Sequence, residues 1–166
     1  MKALKFLFLL TTMLFTLFAC EDKNDISNLP PATQIGANTF GCLINGELYK
    51  TSGFSPFGNN LYTIPGCNFG INSDNNMVSI LGRFEHGPRN LYMYDMRIAF
   101  PYQGRKTGVY KENLTYQGFE LDKDYDSKIT ITRFDENILS GTFQMKLTGN
   151  GVTDVITHGR FDIKNN

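Results

Sequence analysis

The chain has 166 residues, with 16 Lys+Arg balanced by 16 Asp+Glu, two His and no Trp. That length is one domain's worth, and zero formal charge excludes the basic excess of a nucleic-acid binder and the like-charged composition of a disordered chain. The totals mix two unlike pieces: residues 1–19 hold 14 apolar residues with Lys2 and Lys5, and the remainder carries 14 basic against 16 acidic groups.

Lys2 and Lys5 precede an apolar run, Phe6–Phe18, softened by Thr11, Thr12 and Thr16. As a helix that run covers ~20 Å, short of the ~30 Å hydrocarbon core, so it suits a signal-peptide core rather than a membrane span. It ends Leu17-Phe18-Ala19-Cys20, which resembles the bacterial lipobox. The resemblance implies cleavage before Cys20, a diacylglyceryl group on its thiol and a fatty-acyl (palmitate-type) chain on its amine. Two or three such chains hold a protein stably on a bilayer. The following Glu21-Asp22-Lys23-Asn24-Asp25 resembles, with interruptions, the acidic tract that exports lipoproteins of Bacteroidota-type bacteria to the cell surface. The expected location is the outer membrane, with the surface favoured over the periplasmic face.

Residues 20–37 lack periodicity and include Pro30-Pro31, which disfavours helix. They are expected to be a flexible tether averaging roughly 20–25 Å and reaching about 55 Å at full stretch. Residues 38–166 are expected to form a single all-β domain. Ala is scarce there and Gly and Asn abundant, the wrong composition for helices. Asn45-Gly46 between Thr39–Ile44 and Glu47–Lys50 predicts a tight hairpin. Val78, Ile80, Gly82 and Phe84 alternate with polar residues, as do Tyr92, Tyr94, Met96, Ile98 and Phe100. In Lys128–Phe134 the parity of Ile129 and Ile131 breaks at Phe134, predicting a bulge or strand end. Leu139, Gly141, Phe143, Met145 and Leu147 form one apolar face, and Val155, Thr157, Gly159, Phe161 and Ile163 another, opposite His158, Arg160, Asp162 and Lys164. An antiparallel β-sandwich of about eight to ten strands is expected, with a closed barrel as second choice.

The opening Leu29-Pro-Pro-Ala-Thr-Gln, Gly36-Ala-Asn-Thr-Phe-Gly-Cys42 and Asn45-Gly46 resembles a family of Bacteroidota outer-membrane lipoproteins, a domain of unknown function. The end is similar as well, through Ile129-Thr-Ile-Thr-Arg-Phe-Asp135, Ser140-Gly-Thr-Phe143 and Gly159-Arg-Phe-Asp162. The resemblance covers about a third of the chain and implies a lipid-anchored envelope β-protein. No activity comes with it, so no functional residue is carried over.

Cys42 and Cys67 fall on apolar parity in a compartment where disulfides survive. They could form a bridge, stay as two buried thiols, or include a reactive thiol. Asp122, Asp124 and Asp126 begin like a calcium loop, but Ser127 and Arg133 stand where the pattern needs Gly and a bidentate Glu. A solvated acidic turn, partly neutralised by Lys123 and Lys128, is the stronger reading. His158, Arg160 and Asp162 share a predicted wet face without a local nucleophile. Glu47, Glu85, Glu112, Glu120 and Glu136 offer carboxylates whose separation sequence does not give. Tyr62, Tyr92, Tyr94, Tyr102, Tyr110 and Tyr116 could be an aromatic platform or core and edge packing. Binding is expected at the loops holding Phe54, Phe57, Asn59, Asn60 and Asn75.

No cofactor motif is present. The expected function is a non-enzymatic, lipid-anchored binding or accessory module for another envelope protein, a peptide or a glycan. The alternative is a small envelope hydrolase using carboxylates or His158.

Overall fold

The computed structural model describes residues 26–55, 64–116, 119–149 and 151–165. The signal segment, Cys20, Phe57, Asn59, Asn60 and Tyr62 lie outside the described residues. The described chain is all-β: β1 (Thr39–Ile44), β2 (Glu47–Ser52), β3 (Gly66–Asn72), β4 (Met77–His86), β5 (Tyr92–Pro101), β6 (Gly108–Tyr110), β7 (Thr115–Tyr116), β8 (Glu120–Leu121), β9 (Lys128–Phe134), β10 (Ile138–Gly149) and β11 (Val152–Lys164). A 3-10 turn at Pro88–Asn90 joins β4 to β5. Three of the strands are only two or three residues long, which takes the number past the expected ten.

The strands form an antiparallel sandwich rather than a closed barrel. One sheet runs β2-β1-β11-β10-β9-β6, with β8 pairing β10 beyond the end of β9, and the other runs β3-β4-β5-β7. Asn45 and Gly46, at φ 52° and 85°, make the predicted β1–β2 hairpin, with Ile44 opposite Glu47. Between the sheets pack Phe40, Cys42 and Ile44 of β1, Phe143, Met145 and Leu147 of β10, and Val78, Ile80, Met96, Ile98 and Phe100 of the smaller sheet. Phe40 lies 5.2 Å from the Phe143 ring and 5.8 Å from Phe84, bridging the layers. Gly82 makes room for it: a Cβ there would sit 2.5 Å from the Phe40 ring.

Two bulges reset the strand faces. In β9 the register shifts between Ile131 and Arg133, where the broken parity predicted it. In β11, Phe143 pairs Gly159 while Met145 pairs Ile156, so Thr157 and His158 together oppose Gln144. His158 takes the left-handed conformation, φ 54°. This corrects the predicted β11 pattern. Beyond the bulge Gly159, Phe161 and Ile163 face inward as expected; before it the buried residues are Asp154 and Ile156, not Val155 and Thr157. One inserted residue flips every later side chain to the other face.

The segment expected to be a free tether is, from Leu29 onward, laid on the larger sheet. Leu29 is buried, and Pro30 occupies the space a Gly41 side chain would need. Its oxygen accepts from Arg160 Nη1 at 3.2 Å, and Arg133 Nη1 donates to the Gln34 oxygen. The clasp is Asp162. Its carboxylate accepts Thr33 Oγ1 at 2.5 Å, Ser140 Oγ at 2.7 Å, and the backbone N–H groups of Ile35, Gly36 and Ala37 at 3.1, 2.8 and 3.2 Å. Burial opposes its ionisation, but the bonds from Ser140, Thr33, Gly36 and Ala37 outweigh that and hold the carboxyl below its usual range.

Candidate functional site

The outer face of the four-stranded sheet carries a transverse groove of about 430 Å³. Its floor follows from register. Gly70 pairs Ser79, Ser79 pairs Ala99, and Ala99 pairs Thr115, so the smallest side chains of four strands line up in one row. The neighbouring rows are larger: Asn68, Leu81 and Arg97 on one side, Asn72, Met77 and Pro101 on the other. At ~4.8 Å between strands the trough runs about 14 Å across the sheet. Volume and lining suit a ligand segment, with a few polar groups on a mostly apolar surface.

One side wall is built by a charge cluster. Arg83 is fully buried, donates from Nε and Nη2 to the two Asp95 oxygens at 2.6 and 2.9 Å, and from Nη1 to Ser55 Oγ at 3.0 Å. Ser55 in turn donates to the Ile64 oxygen at 3.0 Å, so the buried guanidinium fixes both described ends of the β2–β3 connection. Burial disfavours the Asp95 charge, but Arg83 and then Arg97 more than offset it and lower its pKa. Because Arg83 takes Asp95 in a fork, Arg97 reaches it only at 3.4 Å from Nη2. Arg97 lines the groove, and its Nε is buried without a hydrogen-bond partner among the described residues. A buried N–H left unpaired costs roughly 1–3 kcal/mol, and the Arg97 side chain as a whole is 34% exposed beside the groove.

The sequence-nominated residues fall elsewhere. Of the loop positions, Phe54 is half-buried and forms an isolated bridge to Cys67, and Asn75 lies in the exposed β3–β4 turn; neither lines the groove. Of the alternatives the sequence left open, the structure has Cys42 and Cys67 as two free, buried thiols. They stand on strands of opposite sheets, and the Cys67 thiol lies 3.5 Å from the Gly53 oxygen, to which it donates. Burial pushes the Cys67 thiol up to about 12 and raises Cys42 as well, so neither is an activated nucleophile.

The weak calcium candidate is an acidic turn held by lysines. Asp122 accepts the Asp124 N–H at 2.9 Å and pairs with Lys146 at 2.7 Å. Asp126 is shared by Lys111 and Lys128 at 2.8 and 2.7 Å, which together bring its carboxyl down to about 2. Among the described residues no three His, Cys, Asp or Glu side chains converge as metal ligands. Lysine ammonium groups pair with the Asp122 and Asp126 carboxylates of this turn.

His158, Arg160 and Asp162 do not act together: Asp162 is spent on the N-terminal segment, and no ion pair links it to Arg160, which gives one N–H group to the Pro30 oxygen. The five glutamates sit on separate elements, and Glu112 is the one carboxylate among the residues lining three surface grooves. Tyr110 and Tyr116 are buried in the core, with Tyr94 and Tyr102 packed against it; the Tyr94 and Tyr116 hydroxyls bond to each other. These rings are packing rather than a platform. The row of small residues and Arg97 escaped the sequence reading because register between four strands, not any local motif, assembles them.

Comparison of the chain with protein-family models, curated proteins and solved structures gives no match.

Proposed function

We propose that the protein is a lipid-anchored cell-envelope module that binds a ligand without transforming it. The anchor rests on Leu17-Phe18-Ala19-Cys20 behind an apolar run, and on the resemblance to outer-membrane lipoproteins. The observation that carries the binding reading is Arg97, a partly exposed cationic side chain in the wall of the groove on the four-stranded sheet. A cation with Ser79, Thr115 and Asn72 nearby favours an extended peptide or glycan segment bearing a carboxylate. A hydrolase built on paired carboxylates would need two of them converging on one cavity, and among the described residues Glu112 is the one carboxylate that lines these grooves.

The docked N-terminal segment shortens the link to the bilayer. From Cys20 to Leu29 the chain can span at most roughly 30 Å, against about 55 Å for a tether reaching residue 37. Leu29 and Pro30 lie on the larger sheet, so the anchor joins the sandwich on the side opposite the Arg97 groove, an attachment that favours the groove facing away from the membrane. Such a module presents its ligand site outward from the outer membrane, most simply at the cell surface.

Cys20→Ala is expected to abolish incorporation of labelled fatty acid and to remove the protein from the wash-resistant membrane fraction. Unchanged membrane retention and labelling would overturn the anchor.

A further inference from the structure

We propose that a second groove, at the β11 bulge on the outer face of the seven-stranded sheet, binds a phosphate group. This groove, of about 370 Å³, is lined from three adjacent strands by Lys128 and Thr130, Thr142, and Thr157, His158 and Arg160. Register sets Thr130 opposite Thr142 and Thr142 opposite Arg160, so their side chains form one row across the sheet. The bulge then adds Thr157 and His158 against the single residue Gln144.

The donors are available. Arg160 carries five N–H groups and gives one to the Pro30 oxygen. No carboxylate stands within ion-pair distance of it among the described residues. The His158 ring and the hydroxyls of Thr130, Thr142 and Thr157 have no hydrogen-bond partner among the described residues. Lys128 is held by Asp126, but that carboxylate also takes Lys111, leaving the trio with a net positive charge. Asp162, on the same face, has both oxygens engaged by Ser140, Thr33 and backbone N–H groups. The groove is therefore cationic, rich in donors and free of lining acids.

That chemistry selects an oxyanion. A tetrahedral phosphate presents three or four oxygens to donors arriving from three strands, whereas a carboxylate would leave several of them unmet. His158 supplies a second argument. It holds φ 54°, a conformation glycine adopts freely and other residues at a cost. A bulge serving only to turn the strand would be easier with glycine; His158 keeps an imidazole over the groove. The phosphate could belong to a lipid headgroup or to a soluble phosphate ester.

The chain has two histidines, so the ring signals of His86 and His158 are separable reporters. With the full chain in detergent micelles, inorganic phosphate at constant ionic strength is expected to shift the His158 signal saturably and leave His86 unmoved. By calorimetry, Arg160→Ala should weaken phosphate binding at least about tenfold, one hydrogen-bonded ion pair's worth. His158→Gly, suited to the left-handed backbone, should fold as the parent and weaken binding several-fold. Nanodiscs distinguish the sources. A His158 shift in phosphatidic acid discs but not in phosphatidylcholine discs, whose phosphodiester has two free oxygens, without added phosphate, assigns the group to a lipid phosphate monoester; a shift with soluble phosphate alone assigns it to a free ester. Absence of a saturable His158 shift, an equal shift with chloride, or parental affinity in Arg160→Ala would overturn the site. The detergent measurements do not depend on Cys20 being lipidated, so the two readings fail separately.

Discussion

Replacing Asp162 with Ala is expected to cost about 3–4 kcal/mol of stability, lowering Tm by roughly 10 °C for a domain of this size. The carboxylate accepts bonds from five donors, three of them backbone N–H groups of residues 35–37. Charge-assisted bonds contribute ~1.5–3 kcal/mol each but not additively, because the freed N–H groups regain water once the segment lifts. The loss is local first. Amide exchange at Ile35, Gly36 and Ala37 should become fast while β10 and β11 stay protected, and Asp162→Asn should recover only part of the stability. The pH dependence has a definite sign. Asp162 has a lowered folded pKa, so its contribution is complete above the ordinary carboxylate range and is lost as pH falls through the lowered value. In Asp162→Ala that part of the acid sensitivity disappears. Unchanged exchange at residues 35–37 would show that the carboxylate does not hold the segment.

Arg83→Ala is expected to cost about 3–4 kcal/mol in urea denaturation, near the lower end for breaking a buried ion pair. The guanidinium is fully buried while Asp95 is 21% exposed and keeps Arg97, which softens the loss. Replacing both partners, as Arg83→Met with Asp95→Leu, should recover most of the stability because no fully buried charge is left unpaired, and Arg97, which loses Asp95, is 34% exposed to water. The same double variant frees Arg97 from Asp95 and removes the link to Ser55, so the ends of the β2–β3 connection at Ser55 and Ile64 should exchange faster. Equal stability losses in the single and double variants would contradict this account of the cluster.

Most of the sandwich is legible in the sequence because alternation is a local property. Val78–Phe84, Tyr94–Phe100 and Leu139–Leu147 each show one apolar face, and each strand packs that face inward. The β9 break is legible for the same reason: Phe134 falls out of step with Ile131. The β11 bulge left a weaker trace, Ile156 standing alone on the polar parity next to His158-Gly159. The docking of residues 29–37 left none, because its hydrogen-bond partners lie 99–130 residues away and Asp162 reads as one more charge on a wet face. Both grooves are products of register. Gly70, Ser79, Ala99 and Thr115 are unremarkable one by one, and only the pairing of four strands sets them side by side. Cys42 and Cys67 show the converse: parity placed both in the core, but a shared core does not make two thiols partners.

The proposed anchor, and with it the outward orientation of the Arg97 groove, is tested most directly by the intact mass of the protein extracted from the cell envelope. The predicted result is a chain that begins at Cys20 and carries a diacylglyceryl thioether with a further acyl group on the amine. A chain that retains residues 1–19, begins elsewhere, or carries an unmodified Cys20 would contradict it.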